Sequence, residues 1–162
     1  MSSFDRRSFL IAAVALTGCG FEPVYGPDGG AKGLLGQVQV DGPTENYSYI
    51  LVRELEDRLG TPTVAKYGLT YAISIERRRS GVTIDGVTNR YELLGEVTYA
   101  LRDQASNRVL TSGKVDNFTG YSTSGNTVTA LAGETDAQER LMTILADLIV
   151  AELQIYATQN PL

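Results

Sequence analysis

The sequence predicts an α+β domain: a mostly antiparallel four-stranded sheet with two helices packed on one face, in the order β-α-β-β-β-α. Three observations carry that expectation. Tyr47, Leu51, Leu55 and Leu59 recur every four residues, the spacing of a helix with one buried stripe. Leu69, Tyr71, Ile73 and Ile75 alternate strictly with Thr70, Ala72, Ser74 and Glu76, the period of a half-buried strand. Leu141, Ile144, Leu145, Leu148, Ile149 and Ile155 give a second, longer helix its apolar face. Consecutive strands flanked by two helices bury their apolar sides best as a helix layer on a sheet.

Taken in order, Leu35 to Val40 alternates well enough for a first strand, with Val38 and Val40 against Gln37 and Gln39, and Asp41-Gly42-Pro43 turns the chain. Thr44 or Asn46 can cap the first helix, which Ile50 and Val52 widen and Gly60 and Pro62 stop. Glu54 and Arg58 are spaced to pair on its wet face. A right-handed crossover through this helix makes the first two strands parallel if they are neighbours. The second strand ends at Arg77-Arg78-Arg79-Ser80-Gly81, followed by a loop-like stretch through Asp85-Gly86. The third puts Tyr91, Leu93, Val97, Tyr99 and Leu101 on one face, with a bulge expected at Gly95. Asp103 to Asn107 makes a hairpin turn, and Val109 to Tyr121 a fourth strand bent near Gly113. After a small-residue loop, Ser122 to Asn126, the last helix is expected from about Thr135, as its cap, to about Ala157. That start places Asp136 and Glu139 in its first turn, where negative charge suits the helix dipole.

Ahead of this domain, Arg6 and Arg7 precede the apolar run Phe9 to Leu16, and Leu16-Thr17-Gly18-Cys19 follows. A charged stretch, a short apolar stretch and small residues describe an export signal. The run is too short to span a bilayer, which takes ~20 apolar residues. Leu-Thr-Gly-Cys resembles the bacterial lipobox, in which the cysteine sulfur accepts diacylglycerol, the chain is cut before it and the new amine is acylated. One acyl chain holds a protein only marginally, at ~0.8 kcal/mol per buried methylene, but three hold it firmly. Arg6-Arg7-Ser8-Phe9-Leu10 also resembles the twin-arginine export motif. An ordinary secretory signal would use the same two arginines, and both routes lead out of the cytoplasm. Residues 1–18 are thus expected to be a lipoprotein signal peptide, 19–36 a lipidated flexible tether rich in glycine and proline, and 37–162 a single domain.

The whole chain has 162 residues, 14 basic and 19 acidic. Removing residues 1–18 takes Arg6, Arg7 and Asp5, leaving 144 residues, 12 basic and 18 acidic, a net charge of −6. An acidic chain with no basic block longer than three residues is a poor partner for nucleic acid. Cys19 is the single cysteine, so no disulfide can staple the fold. The absence of histidine excludes His-based triads and His-ligated zinc. Ser112-Gly113-Lys114 brings a serine near a lysine on one strand face, with nothing beside it to form an oxyanion hole. Glu54, Glu56 and Asp57 fall on the first helix's solvent side, and no aspartate ladder matches a calcium loop. No catalytic residue, cofactor site or metal site is expected. What stands out is Arg77-Arg78-Arg79, with Arg90 across the loop: a positive spot in an acidic protein. Arginine's planar fork suits phosphate, whereas pairing with Glu76, Asp85 and Glu92 is the plainer reading.

With those residues laid out, the chain resembles the LPS-assembly lipoproteins of the LptE family, in their alphaproteobacterial form. Cys19-Gly20-Phe21-Glu22-Pro23-Val24-Tyr25-Gly26 is close to the family's Cys-Gly-Phe-x-Pro-Leu-Tyr opening, with valine for leucine at 24. The four-spaced first helix, three strands and the helix holding Asp136-Ala137-Gln138-Glu139-Arg140-Leu141 follow in the same order. The resemblance implies a non-enzymatic outer-membrane lipoprotein, anchored through Cys19 and facing the periplasm. Such a protein plugs the LptD β-barrel, assists its assembly and helps lipopolysaccharide into the outer leaflet. Gly20 after the cysteine is compatible with outer-membrane sorting. On this reading Arg77, Arg78, Arg79 and Arg90 are candidate contacts to lipopolysaccharide phosphates. An auxiliary subunit of a lipid-transport ABC system and a secretin pilotin share the architecture, and a lipid-anchored hydrolase is a third class.

Overall fold

The computed structural model describes residues 30–82, 88–123 and 127–160. Cys19, the expected signal peptide at residues 1–18, the opening motif and the stretch around Asp85-Gly86 lie outside the described residues. The elements are a 3₁₀ turn (Gly30–Gly33), β1 (Val38–Val40), α1 (Asn46–Leu59), β2 (Tyr67–Val82), β3 (Thr88–Asp103), β4 (Val109–Ser122) and α2 (Thr127–Gln159). They form one four-stranded sheet in the order β1-β2-β3-β4. The expected β-α-β-β-β-α order holds, and the sheet is mixed: β1 runs parallel to β2, while the other two pairs are antiparallel. The parallel pair follows from the crossover through α1.

Both helices cover one sheet face. Leu51, Leu55 and Leu59 of α1 and Leu141, Leu145 and Ile149 of α2 are buried against Leu69, Leu93, Val97 and Leu101. By length and composition α2 could cross a membrane, but its apolar stripe is the core of the domain. Ile155 departs from its expected place and is 59% exposed. Leu153 and Ala157 continue the buried stripe instead, because they follow Ile149 at the helical spacing of four.

Several boundaries differ from expectation. β1 starts at Val38 because Gly36, at φ +66°, completes a turn closed by Gln37 N–H on Leu34 O. Residues 30–36 are not tether but part of the folded body: Leu34 is buried, and Gly36 N–H donates to Leu59 O at 2.7 Å. The cap of α1 is Glu45, between the two residues expected. Buried Ser48 explains it, since its Oγ accepts the N–H groups of Thr44 and Glu45 at 2.9 and 2.8 Å and donates to Glu45 O. Glu54 and Arg58 pair at 2.8 Å, but in the seam between helices rather than on a wet face, for Arg58 Nε also reaches Asp147 Oδ1 of α2.

The last helix begins eight residues before Thr135, whose hydroxyl donates back to Leu131 O inside it. Residues 127–134 carry no core-facing stripe, so hydrophobic period alone could not announce them. Asp136 and Glu139 are therefore mid-helix, and Asp136 pairs with Arg140 one turn on. Gly95 is no bulge. Register runs through it unbroken, and a Cβ there would lie 2.9 Å from both Leu141 Cδ2 and Leu145 Cδ1. The glycine lets α2 sit down on the sheet. Register is likewise unbroken at Gly113, where a Cβ would meet Tyr99 OH at 2.7 Å and Glu152 Oε2 at 2.8 Å, across the Tyr99–Glu152 hydrogen bond. The irregularities fall at Arg79/Gly81, Gly81/Val82 and Leu101/Arg102.

Candidate functional site

The arginine run lies on β2 rather than beyond it, since the strand continues to Val82. A strand alternates its side chains, so the pleat divides the run. Arg77 and Arg79 share the helix-side face with Ile73 and Ile75, while Arg78 lies on the open face. Arg90 stands opposite Gly81 on one side and Ser122 on the other, two residues from Glu92, which opposes Arg78. The expected single spot is thus two pairs, one on each face of the same sheet end. All four side chains are exposed.

Arg77 is the most engaged. Its guanidinium lies 5.1 Å from the Tyr91 ring centroid, and Nη1 is 3.7 Å from Glu134 Oε2 of α2. The Tyr121 hydroxyl first, then Glu134, favour its charged form and raise its pKa further above the usual arginine range. Tyr91 and Tyr121 stack behind it with centroids 5.7 Å apart, as directly opposed residues of β3 and β4. Burial raises the pKa of the Tyr121 hydroxyl, so it stays a neutral hydrogen-bonding group. Arg78 contacts Glu76 loosely at 3.4 Å, and Ser80 Oγ donates to Glu92 at 2.6 Å. Among the described residues, neither Arg79 nor Arg90 has a carboxylate within ion-pair distance. Local pattern carries no sign of Arg77's partners: Glu134 lies in the helical stretch that has no periodic signal, and Tyr121 comes from β4.

Beside Arg77 the helix-side face is incompletely covered. α1 is 14 residues long against 16 for β2, and a helix rises less than half as far per residue as a strand. A groove of about 250 Å³ is left between α1's first turn and α2, floored by Ile73, Ile75 and Leu93 and rimmed by Arg77, Glu134 and Gln138. The Ser112–Lys114 pair does share the open face, but Lys114 Nζ is bound to Glu96 at 2.9 Å. The arrangement suits contact with anionic groups along a sheet end.

These features define a class: a small helix-on-sheet domain whose charged groups are displayed on an exposed strand end. The chain belongs to the lipopolysaccharide-assembly family LptE, whose model matches residues 35–153. No curated protein matches it. Among solved structures it is similar to a Caulobacter crescentus CB15 protein described as a lipoprotein, at 27% identity and a TM-score of 0.65, covering 78% of this chain and 94% of that one. It is also similar in fold to a minor lipoprotein from Acinetobacter baumannii, at 15% identity and TM-score 0.55, covering 74% and 89%. Rare lipoprotein B from Shewanella oneidensis gives 17% and 0.52, covering 72% and 91%.

Proposed function

We propose that this chain is a non-enzymatic outer-membrane lipoprotein, anchored through acyl chains on Cys19 and facing the periplasm. In that place it plugs the LptD β-barrel, assists the barrel's assembly and helps lipopolysaccharide into the outer leaflet. Arg77, Arg78, Arg79 and Arg90 are its contacts to lipid A phosphates. The observation that carries the reading is the LptE family match over residues 35–153. The lipobox before it supplies the anchor.

Sheet length supports it. The chain enters the fold at the end where Val38 pairs with Tyr67, and Arg77 lies ten residues further along β2. At 3.3 Å per residue that is ~33 Å, close to the ~30 Å of a bilayer's hydrocarbon. A domain anchored at one end and enclosed in a barrel, whose lumen is polar, would carry its arginines across the membrane's thickness. Arginine's fork binds phosphate through paired, charge-assisted hydrogen bonds.

Depletion of the lipoprotein tests the role. Correctly assembled barrel should fall, the barrel should copurify with the lipoprotein from outer membranes, and cells should become sensitive to bulky hydrophobic drugs. Unchanged barrel levels together with unchanged drug resistance would contradict it. Mass spectrometry of the mature N-terminal peptide should show an acylated Cys19.

A further inference from the structure

β2 has a partner on its outer side for only three residues, Tyr67 to Leu69, opposite β1. Backbone direction identifies which groups are then left without one. Tyr67 N–H donates outward to Gln37 O, and Leu69 O accepts outward from Asp41 N–H. Lys66 O points the other way and accepts Gln104 N–H. Strand geometry alternates these directions, so Ile73, Ile75, Arg77 and Arg79 turn their N–H and C=O groups to the outer edge. Among the described residues no backbone group pairs with them there.

An open edge of this length is a template for another strand. Two neighbours make it more than a bare edge. Ile73 and Ile75 form a half-buried apolar shelf beside it, left uncovered where α1 starts. Next along the same face come Arg77, whose ion pair at 3.7 Å is loose, and Arg79. At the opposite edge of the sheet, β4, α2 lies over the helix-side face, and on the open face Lys114 is already paired with Glu96.

We propose that β2 from Ile73 to Arg79 takes an added strand from a polypeptide partner. The partner's segment is extended and antiparallel, the orientation with the slightly stronger ladder. It sets carboxylates opposite Arg79 and Arg77 and apolar side chains opposite Ile75 and Ile73. Backbone bonds supply the affinity, and the order acid, acid, apolar, apolar at alternate positions supplies the selectivity. The inference needs only a partner chain of that pattern and does not depend on the barrel assignment; the partner's carboxylates and lipid phosphates compete for Arg77 and Arg79.

The test uses the full-length lipoprotein in detergent micelles and the heptapeptide Glu-Thr-Glu-Thr-Val-Thr-Val as probe. Residue-resolved hydrogen exchange is read at Ile73, Ile75, Arg77 and Arg79. Saturating peptide should slow those four amides about tenfold or more, while the even-numbered amides of β2, already in the ladder with β3, do not change. N-methylation of the peptide's Glu and Val residues, which face the edge, should abolish protection, and N-methylation of its Thr residues should not. Replacing both Glu with Lys should weaken binding about tenfold, and Arg77→Glu with Arg79→Glu should reverse that preference, the chain remaining folded despite the lost exposed pair with Glu134. Ile75→Pro, which removes one outward N–H at an edge where proline is tolerated, should also abolish protection. The proposal is overturned by absence of protection, by equal effects of the two N-methylation patterns, or by protection on Val109–Ser122 instead. Slow exchange without peptide that speeds up on dilution would assign the edge to a second copy and overturn it as well.

Discussion

The two ends of the sheet are built for different tasks. At the end where the chain enters, β1, both helices and the Leu34 turn close over Tyr67, Leu69 and Leu101, all at most 2% exposed. At the other end α1 has given out, β1 no longer covers the edge, and Arg77, Arg78 and Arg79 face solvent on both sides of the sheet. One continuous strand, β2, belongs to both. Its sequence changes from alternating apolar residues to consecutive arginines, and with it the role changes from holding the fold to presenting charge.

The largest expected effects therefore lie at the closed end. Leu69→Ala or Leu59→Ala should cost about 2–5 kcal/mol, since each deletes an almost fully buried side chain from the core. Ile75→Ala, at the shelf, should cost less than half as much. Denaturant unfolding of the three variants side by side checks this, and equal losses would break the contrast. Gly95→Ala comes next, at about 1–3 kcal/mol, because its new methyl must displace Leu141 and Leu145 from contact at 2.9 Å. A bulge-forming glycine would instead tolerate alanine on the helix side, so the size of the loss separates the two roles.

Smaller effects come from the polar seams. Tyr99→Phe removes the hydrogen bond to Glu152 and should cost about 1 kcal/mol in thermal unfolding. In the helix seam, Arg58 first and then Arg53 hold the Glu54 carboxyl below its usual range. A carboxyl with a lowered folded-state pKa adds stability above its unfolded value, and that increment disappears as pH falls through the folded-state value. Stability should thus decline as pH drops below about 4.5, the group's ordinary value. In Arg58→Met that part of the decline should be reduced. The difference should be under about 1 kcal/mol, since the pair is partly solvated.

Much of this was legible in the sequence where burial is periodic. The stripe Leu51, Leu55, Leu59 and the alternation from Leu69 to Ile75 fixed the order of elements, because those residues pack on one side only. Illegible parts are those set by tertiary context. Residues 127–134 form helix without an apolar stripe, buried Ser48 makes Glu45 the cap of α1, and Gly95 is explained only by the helix above it. At the candidate site the arginines were visible as residues, but a strand was needed to show them split between two faces. Glu134 and Tyr121 come to Arg77 from other elements, so local pattern carried no sign of them.

The most direct test of the working end is lipopolysaccharide binding by the full-length lipoprotein with Arg77, Arg78 and Arg79 all replaced by glutamine. Binding should weaken, its salt dependence should flatten because fewer charges remain to be screened, and the melting midpoint should barely move. Unaltered affinity with a lowered melting midpoint would mean that the arginines hold the sheet end together, and would contradict the division of the molecule into a holding end and a working end.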